Sequence, residues 1–297
     1  MIPSVLATKL RRGIEDYLRT TFQISTPLFH RIVEDLLDEE KGVFQGPYLS
    51  VALPFTPSTM SRDFFSSLEM PFQPHLHQEK AFTRITDPDA QSTIVATGTG
   101  SGKTECFLYP LLEYCYKNRN VEGIKAIVIY PMNALATDQA KRFASEISRS
   151  DKLRNNVTVG LYVGQKRDSA GKSNKVMTPE WVTDDRETLR RMPPDILLTN
   201  YKMLDYMLIR ARDAALWKQN GPETLKYIVV NEMHTFDGAQ GTDLACLIRR
   251  LKHRLKTPKN HLCCVGTSAT LGGAASADKL QEYAKQVFEE GFPQGCV

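Results

Sequence analysis

Residues 96–107, "ATGTGSGKTECF", hold three glycines, a lysine and a threonine at a spacing suited to polyphosphate chemistry. An apolar stretch, 92–95, precedes them and reads as a short strand; the run 105–116 after them has apolar residues at helical spacing. Gly98, Gly100 and Gly102 let the backbone curl so that successive N–H groups face phosphate oxygens. The helix start adds a partial positive charge. Lys103 is placed to reach β- and γ-phosphates, and Thr104 to hold Mg2+. An ordinary Gly/Ser turn explains neither residue. The strict GxxxxGK[ST] pattern is missed at one position, where Thr97 replaces the first glycine.

A second run, "YIVVNEMHTFDG", takes an apolar strand into Asn231, Glu232, Met233 and His234. Phosphate-bond hydrolysis needs a metal near the γ-phosphate and a group that orients water, and a strand-end carboxylate beside the loop serves such roles. Glu232 is the candidate base. The competing reading is an acidic cluster that caps a helix. The run "CVGTSATLGG" ends in small hydroxyl residues, Ser268 and Thr270 among them, which are weak evidence alone. In "YPMNALATDQ" Pro131 breaks a strand and Asn133 is expected to cap the next helix. "ILLTNYKMLDYML" repeats that logic at Thr199 and Asn200. Two helix starts on one rim could follow a phosphate backbone. Either alone is as well explained by an ordinary capped helix.

The elements that must position these residues follow from patterning. Expected strands are 92–96, 125–130, 157–163, 195–199, 227–231 and 262–266, several of them continuous apolar runs typical of parallel strands buried on both faces. Helices are expected at 103–117, 133–149, 179–191, 202–217, 239–255 and 277–290. Such alternation predicts an α/β fold, a mainly parallel sheet between helices, with ligands at the carboxyl ends of its strands. Residues 1–70 read differently: two amphipathic helices, 10–21 and 27–39, then Pro-, Gly- and Ser-containing irregular sequence. The domain expectation is an N-terminal extension, 1–70, and a catalytic-type domain, 71–297.

The 297 residues suffice for a large core, and the hydrophobic (41%) and charged (24%) fractions are ordinary. A net charge of +4 permits a nucleic-acid partner without demanding one. Basic residues cluster at Lys166, Arg167, Lys172 and Lys175, and again from Arg249 to Lys256, where a solvated helix end accounts for them. The six cysteines form no CxxC pair and read as buried free thiols of a cytoplasmic protein, not disulfides or a zinc site. No apolar run approaches membrane-spanning length, and the N-terminus lacks a secretory pattern.

In order and spacing these runs resemble the motifs of superfamily 2 helicases of the DEAD/DEAH-box class. "TGTGSGKT" is similar to motif I, "YPMNALATDQ" to Ia, "LLTNYKML" to Ib and "VVNEMH" to II; "TSAT" is identical to a common motif III. The wording is most similar to large bacterial DNA helicases of the Lhr-like and YprA-like type. The resemblance covers about residues 71–297 and implies a RecA-like P-loop NTPase domain that uses ATP and Mg2+. It implies nucleotide contacts from Thr99, Gly100, Ser101, Gly102, Lys103, Thr104 and His234, with Gln78, 19 residues before Thr97, reading adenine. It implies catalytic roles for Lys103 and Glu232, metal binding by Thr104, Glu232 and the residue at 231, and coupling of nucleotide state to nucleic acid by Ser268 and Thr270. Pro131, Asn133, Thr199 and Asn200 would contact nucleic acid, expected to be single-stranded DNA.

Two departures matter. Motif II ordinarily begins with aspartate; Asn231 is a neutral amide and a poor substitute for holding magnesium. The sequence also stops 27 residues after "TSAT", before the second RecA-like domain that closes the family's ATP cleft. Three readings follow: a helicase motor domain that works with a second RecA-like domain or a partner protein, a degenerate nucleotide-binding module, or a small-molecule P-loop kinase. The kinase reading leaves "TSAT" and "YPMNALATDQ" unexplained.

Overall fold

The structure, a computed structural model, describes residues 3–29, 31–38, 43, 54–164, 173–269, 274–293 and 295–296. It divides into two units, Met1–Pro54 and Phe55–Val297. In the first, helix α1 (Pro3–Thr21) and helix α2 (Ile32–Asp38) are linked by a two-pronged pair in which Arg19 Nε and Nη2 each donate to Glu34 at 3.0 Å. Residues 55–70, grouped with the extension on composition, pack into the second unit. Phe65 and Met70 are buried in its core, with the Phe65 ring edge-on to Phe82 at 5.2 Å.

The second unit is built on six parallel strands: β1 (Thr93–Ala96), β2 (Ala126–Tyr130), β3 (Val159–Tyr162), β4 (Ile196–Asn200), β5 (Tyr227–Val230) and β6 (Cys263–Ser268). Their spatial order is β1-β6-β5-β2-β4-β3. Side chains alternate between two cores, as the period-2 geometry of strands requires. Along β2, Ala126, Val128 and Tyr130 enter one core, with Phe82, Phe107 and Phe143; Ile127 and Ile129 enter the other, with Leu204, Leu244 and Ile248. Helices α3 (Leu76–Ile85), α4 (Lys103–Lys117) and α5 (Asn133–Arg149) thus cover one face. Helices α8 (Tyr201–Ile209), α9 (Gly238–Leu255) and α10 (Ala274–Phe288) cover the other, and α6 (Asp151–Arg154) and α7 (Arg186–Arg191) are short connectors. The parallel α/β sheet between helices is the expected architecture.

In the first unit α1 begins seven residues before the expected 10–21, and the helix expected at 27–39 is a 3-10 turn, Pro27–Phe29, followed by α2 from Ile32. Two helices of the second unit depart most from expectation. The one expected at 179–191 begins only at Arg186, because Thr183 pairs with β3 at Gly160 and Asp185 caps α7 by accepting from Thr188 N at 2.8 Å. The one expected at 202–217 breaks at extended Arg210, followed by a 3-10 turn, Ala211–Trp217. Asp213 causes the break: it is fully buried and accepts from Tyr162 Oη, Arg190 Nε and Arg210 Nε, all at 2.7 Å. Those donors hold its carboxyl below the usual range even though burial acts in the opposite direction. All six cysteines are free thiols, but Cys246 is exposed, contrary to the expected burial. Among the described residues no helix is long and apolar enough to cross a membrane.

Candidate functional site

Because all six strands run the same way, their carboxyl ends share one rim. The loop after β1 sits beside the turns after β6 and β5, and the turns after β2 and β4 lie further along the edge. Five runs spread over 172 residues of sequence, Thr97 to Ser268, are therefore neighbours.

The loop after β1 has the backbone it needs. Gly100 and Gly102 take φ of +79° and +78°, a region that glycine enters without strain. Gly102 also has no room for a side chain, since a Cβ would lie 2.4 Å from Gln78 Nε2. Thr97 N donates to Ser268 O at 3.2 Å, which ties the loop to β6, and the Thr97 and Ser101 hydroxyls are 2.6 Å apart. Lys103, 8% exposed, donates to the carbonyls of Thr97 (3.1 Å) and Gly98 (3.3 Å). Among the described residues no carboxylate pairs with it. A buried ammonium held only by carbonyl dipoles is short of a counter-charge. The space where Cβ atoms of Gly98 and Gly100 would project is open. An uncompensated cation below an open glycine cradle fits a polyphosphate.

Gln78 lies against this loop, 2% exposed. Its Oε1 accepts from His75 N at 2.8 Å in a capping box, and its Nε2 donates to Gly102 O at 3.2 Å. The amide therefore braces α3 against the loop. His77 does the same through Nε2, which donates to Ser101 O at 2.8 Å. Burial pulls His77 below its ordinary value, although the Ser101 carbonyl opposes the shift. Phe55, His75 and His77 form an aromatic cluster with centroids 5.4–5.6 Å apart. Neither Phe55 nor the histidines were singled out in sequence, where they sit among irregular Pro-containing residues.

The turn after β5 is organised by Thr267, a residue that sequence reasoning passed over. Its hydroxyl, fully buried, donates to Asn231 Oδ1 at 2.9 Å and accepts from Glu232 N at 3.0 Å. Glu232 is held at φ 50°, ψ 52°, a conformation sparsely used by non-glycine residues. Its Oε2 is shielded from solvent without a hydrogen bond, 3.5 Å from His234 Nδ1, which is within ion-pair reach but outside hydrogen-bond geometry. His234 Nδ1 in turn meets Ser268 Oγ at 3.3 Å. The structure thus brings Asn231, Glu232, His234 and Ser268 together next to the loop. Thr270 lies outside the described residues. The signal that could have exposed Thr267 is register: it sits one pair beyond Val230↔Gly266, opposite the start of the turn.

On the rest of the rim, the cap expected from Asn133 is replaced. Met132 is the N-cap of α5, while Asn133 is the first helical residue and its Oδ1 accepts from Asn200 Nδ2. Asn200 caps α8 as expected, its Oδ1 accepting from Met203 N at 2.7 Å. Pro131 is half-buried between β2 and α5. Thr199 is fully buried, with Oγ1 donating to Tyr162 O at 2.7 Å, so its side chain supports the rim from below. Among the described residues no cluster of three His, Cys, Asp or Glu forms a metal centre. A phosphate-linked magnesium ion does not require one.

Comparison with known proteins agrees with this geometry. The profile of the DEAD/DEAH box helicase family matches residues 75–278. The chain is 27% identical to the Druantia protein DruE of Escherichia coli, over 92% of this chain and 21% of that protein. It is 28% identical to the uncharacterized ATP-dependent helicase YprA of Bacillus subtilis, over 74% of this chain and 26% of that protein. The Lhr helicase/uracil glycosylase of Escherichia coli is 30% identical over 63% of this chain and 12% of that protein. The chain thus spans about a quarter or less of these relatives. Among solved structures, the DUF1998 helicase MrfA bound to DNA and AMPPNP matches with a TM-score of 0.55 at 24% identity, over 75% of this chain and 27% of that one. Mycobacterium smegmatis helicase Lhr bound to ssDNA and AMP-PNP matches with a TM-score of 0.51 at 24% identity, over 71% of this chain and 24% of that one. The chain belongs to the DEAD/DEAH box helicase family, of which it is a helicase motor domain.

Proposed function

We propose that this domain binds ATP with Mg2+ at the loop 97–104 and contributes one wall of a DNA-directed helicase or translocase motor. The observation that carries the reading is Lys103, a buried ammonium without a carboxylate partner among the described residues, beneath an open glycine cradle. The bound ligands of MrfA and Lhr, AMPPNP with DNA, agree with it. Lys103 neutralises phosphate charge, and the loop N–H groups from Thr99 to Thr104 orient the phosphates. Thr104 and Glu232 would hold the metal, which would offset charge on the phosphates, with Asn231 supplying an amide and no charge. Glu232 orients the attacking water. His234 and Ser268 relate that turn to the end of β6. Gln78 reads adenine through the lone pair and N–H not used on His75 and Gly102. Pro131, Asn133 and Asn200 shape a surface for single-stranded DNA phosphates, and Thr199 supports it.

Asn231 favours a second reading, a domain that binds nucleotide but turns it over slowly. Its Oδ1 already accepts from Thr267, and a neutral amide recruits magnesium poorly. Titration with a fluorescent ATP analogue and Mg2+ tests the shared core of both readings. Lys103→Ala should weaken binding at least tenfold, about 1.4 kcal/mol. Superimposable curves for the two proteins would remove Lys103, and the site with it.

A further inference from the structure

A buried carboxylate of α4 pairs across to α5. Glu105 is the third residue of α4, two positions after Lys103, and its side chain is 7% exposed. It lies against the loop, since a Cβ on Gly102 would come within 3.1 Å of Glu105 Oε2. Its Oε1 pairs with Arg142 Nη2 from α5, a side chain 42% exposed. The same helix begins at Asn133, which accepts from Asn200, the cap of α8. One helix therefore reaches Glu105, which lies beside the phosphate loop, from its middle and the rim from its start, each time through a specific side chain.

We propose that the Glu105–Arg142 pair is a positioning strut that transmits occupancy of the phosphate loop along α5 to the Asn133–Asn200 rim. This rests on the nucleotide and rim readings proposed above. A strut that serves two states leaves spare hydrogen-bonding capacity in either one. One buried acceptor at this contact is without a hydrogen bond: Glu105 Oε2. A contact built only for stability would satisfy that oxygen. Movement of the loop around bound phosphate displaces Gly102 against Glu105. Arg142 then carries that displacement into a 17-residue helix whose first side chain holds the rim.

The test is a linkage measurement on the whole chain. The affinity for a fluorescent single-stranded oligonucleotide is measured with and without saturating Mg–AMP-PNP, and nucleotide affinity is measured separately. In the unaltered chain the two oligonucleotide affinities should differ at least about fivefold, the lower end of ordinary coupling. In Arg142→Gln and Glu105→Gln the ratio should collapse to about one while nucleotide affinity changes by less than about threefold. The double variant should lose no more coupling than either single one, as expected for two halves of one contact. Should Arg142→Gln not fold, Arg142→Lys, which keeps the charge but not the fork, is expected to lower the ratio as well. Full coupling in the folded variants, or losses that add in the double variant, would overturn the strut. So would an unaltered chain that binds both ligands without coupling. An unaltered chain that binds no nucleotide would instead refute the site itself, and the strut with it.

Discussion

Replacing Thr267 by valine isolates what holds the turn after β5. The substitution keeps the branched shape and removes one hydroxyl, so it opens almost no cavity. That hydroxyl is fully buried and serves two partners, Asn231 Oδ1 at 2.9 Å and Glu232 N at 3.0 Å. Each buried polar group left without a partner costs about 1–3 kcal/mol. The extra methyl recovers about 1 kcal/mol of burial. The expected net loss is about 1–5 kcal/mol. Glu232 adds a functional consequence: its left-handed backbone, φ 50°, persists only while neighbours impose it, and the amide tethered to Thr267 is its own. Urea unfolding of the wild type, Thr267→Val and Thr267→Ser supplies the measurement, with unchanged slopes identifying a pure stability effect. Serine retains the hydroxyl and should lose less than about half of what valine loses. A valine variant within about 0.5 kcal/mol of wild type would show that the hydroxyl does not hold the turn. Equal losses for serine and valine would assign the effect to the methyl group.

Further outcomes follow from the same geometry. Gly102→Ala should destabilise the domain by about 1–3 kcal/mol and weaken nucleotide binding, because it forces a side chain to φ +78° and into Gln78; a melting curve like wild type would contradict the packing of Gln78 on the loop. Asn231→Asp should strengthen magnesium-dependent nucleotide binding more than it raises ATP turnover, and indifference to magnesium in both proteins would detach residue 231 from the metal. Single-stranded DNA should bind weakly, on the order of micromolar or worse, without sequence preference and more weakly as salt rises; tight or salt-insensitive anisotropy curves would place recognition elsewhere.

Much of the fold was legible because its signals are local. Helices 103–117 and 133–149 occupy the expected residues, since periodicity, the loop glycines and Pro131 mark their starts. Strands β2 and β5 announce themselves as unbroken apolar runs that are buried on both faces. The positions that differ are those decided by distant partners. The start of α7 depends on Thr183 joining β3, and the break after α8 depends on Asp213 meeting Tyr162 and Arg190. The site divides in the same way. Its loop and its turn after β5 follow from residue types at fixed spacing. Thr267 pairing with Asn231, Asn133 with Asn200, and Glu105 with Arg142 span 36 to 67 residues, and no local pattern encodes them. Thr199 shows the converse: a polar residue at a strand end looks available, yet the edge strand's Tyr162 carbonyl takes its hydroxyl.

Amide hydrogen exchange with and without Mg–AMP-PNP reports where nucleotide acts on the domain rather than whether it binds. Exchange should slow chiefly at amides 97–104 and 231–234, with the 97–104 protection lost in Lys103→Ala. Protection centred on other segments, or none at saturating nucleotide, would contradict the proposed site.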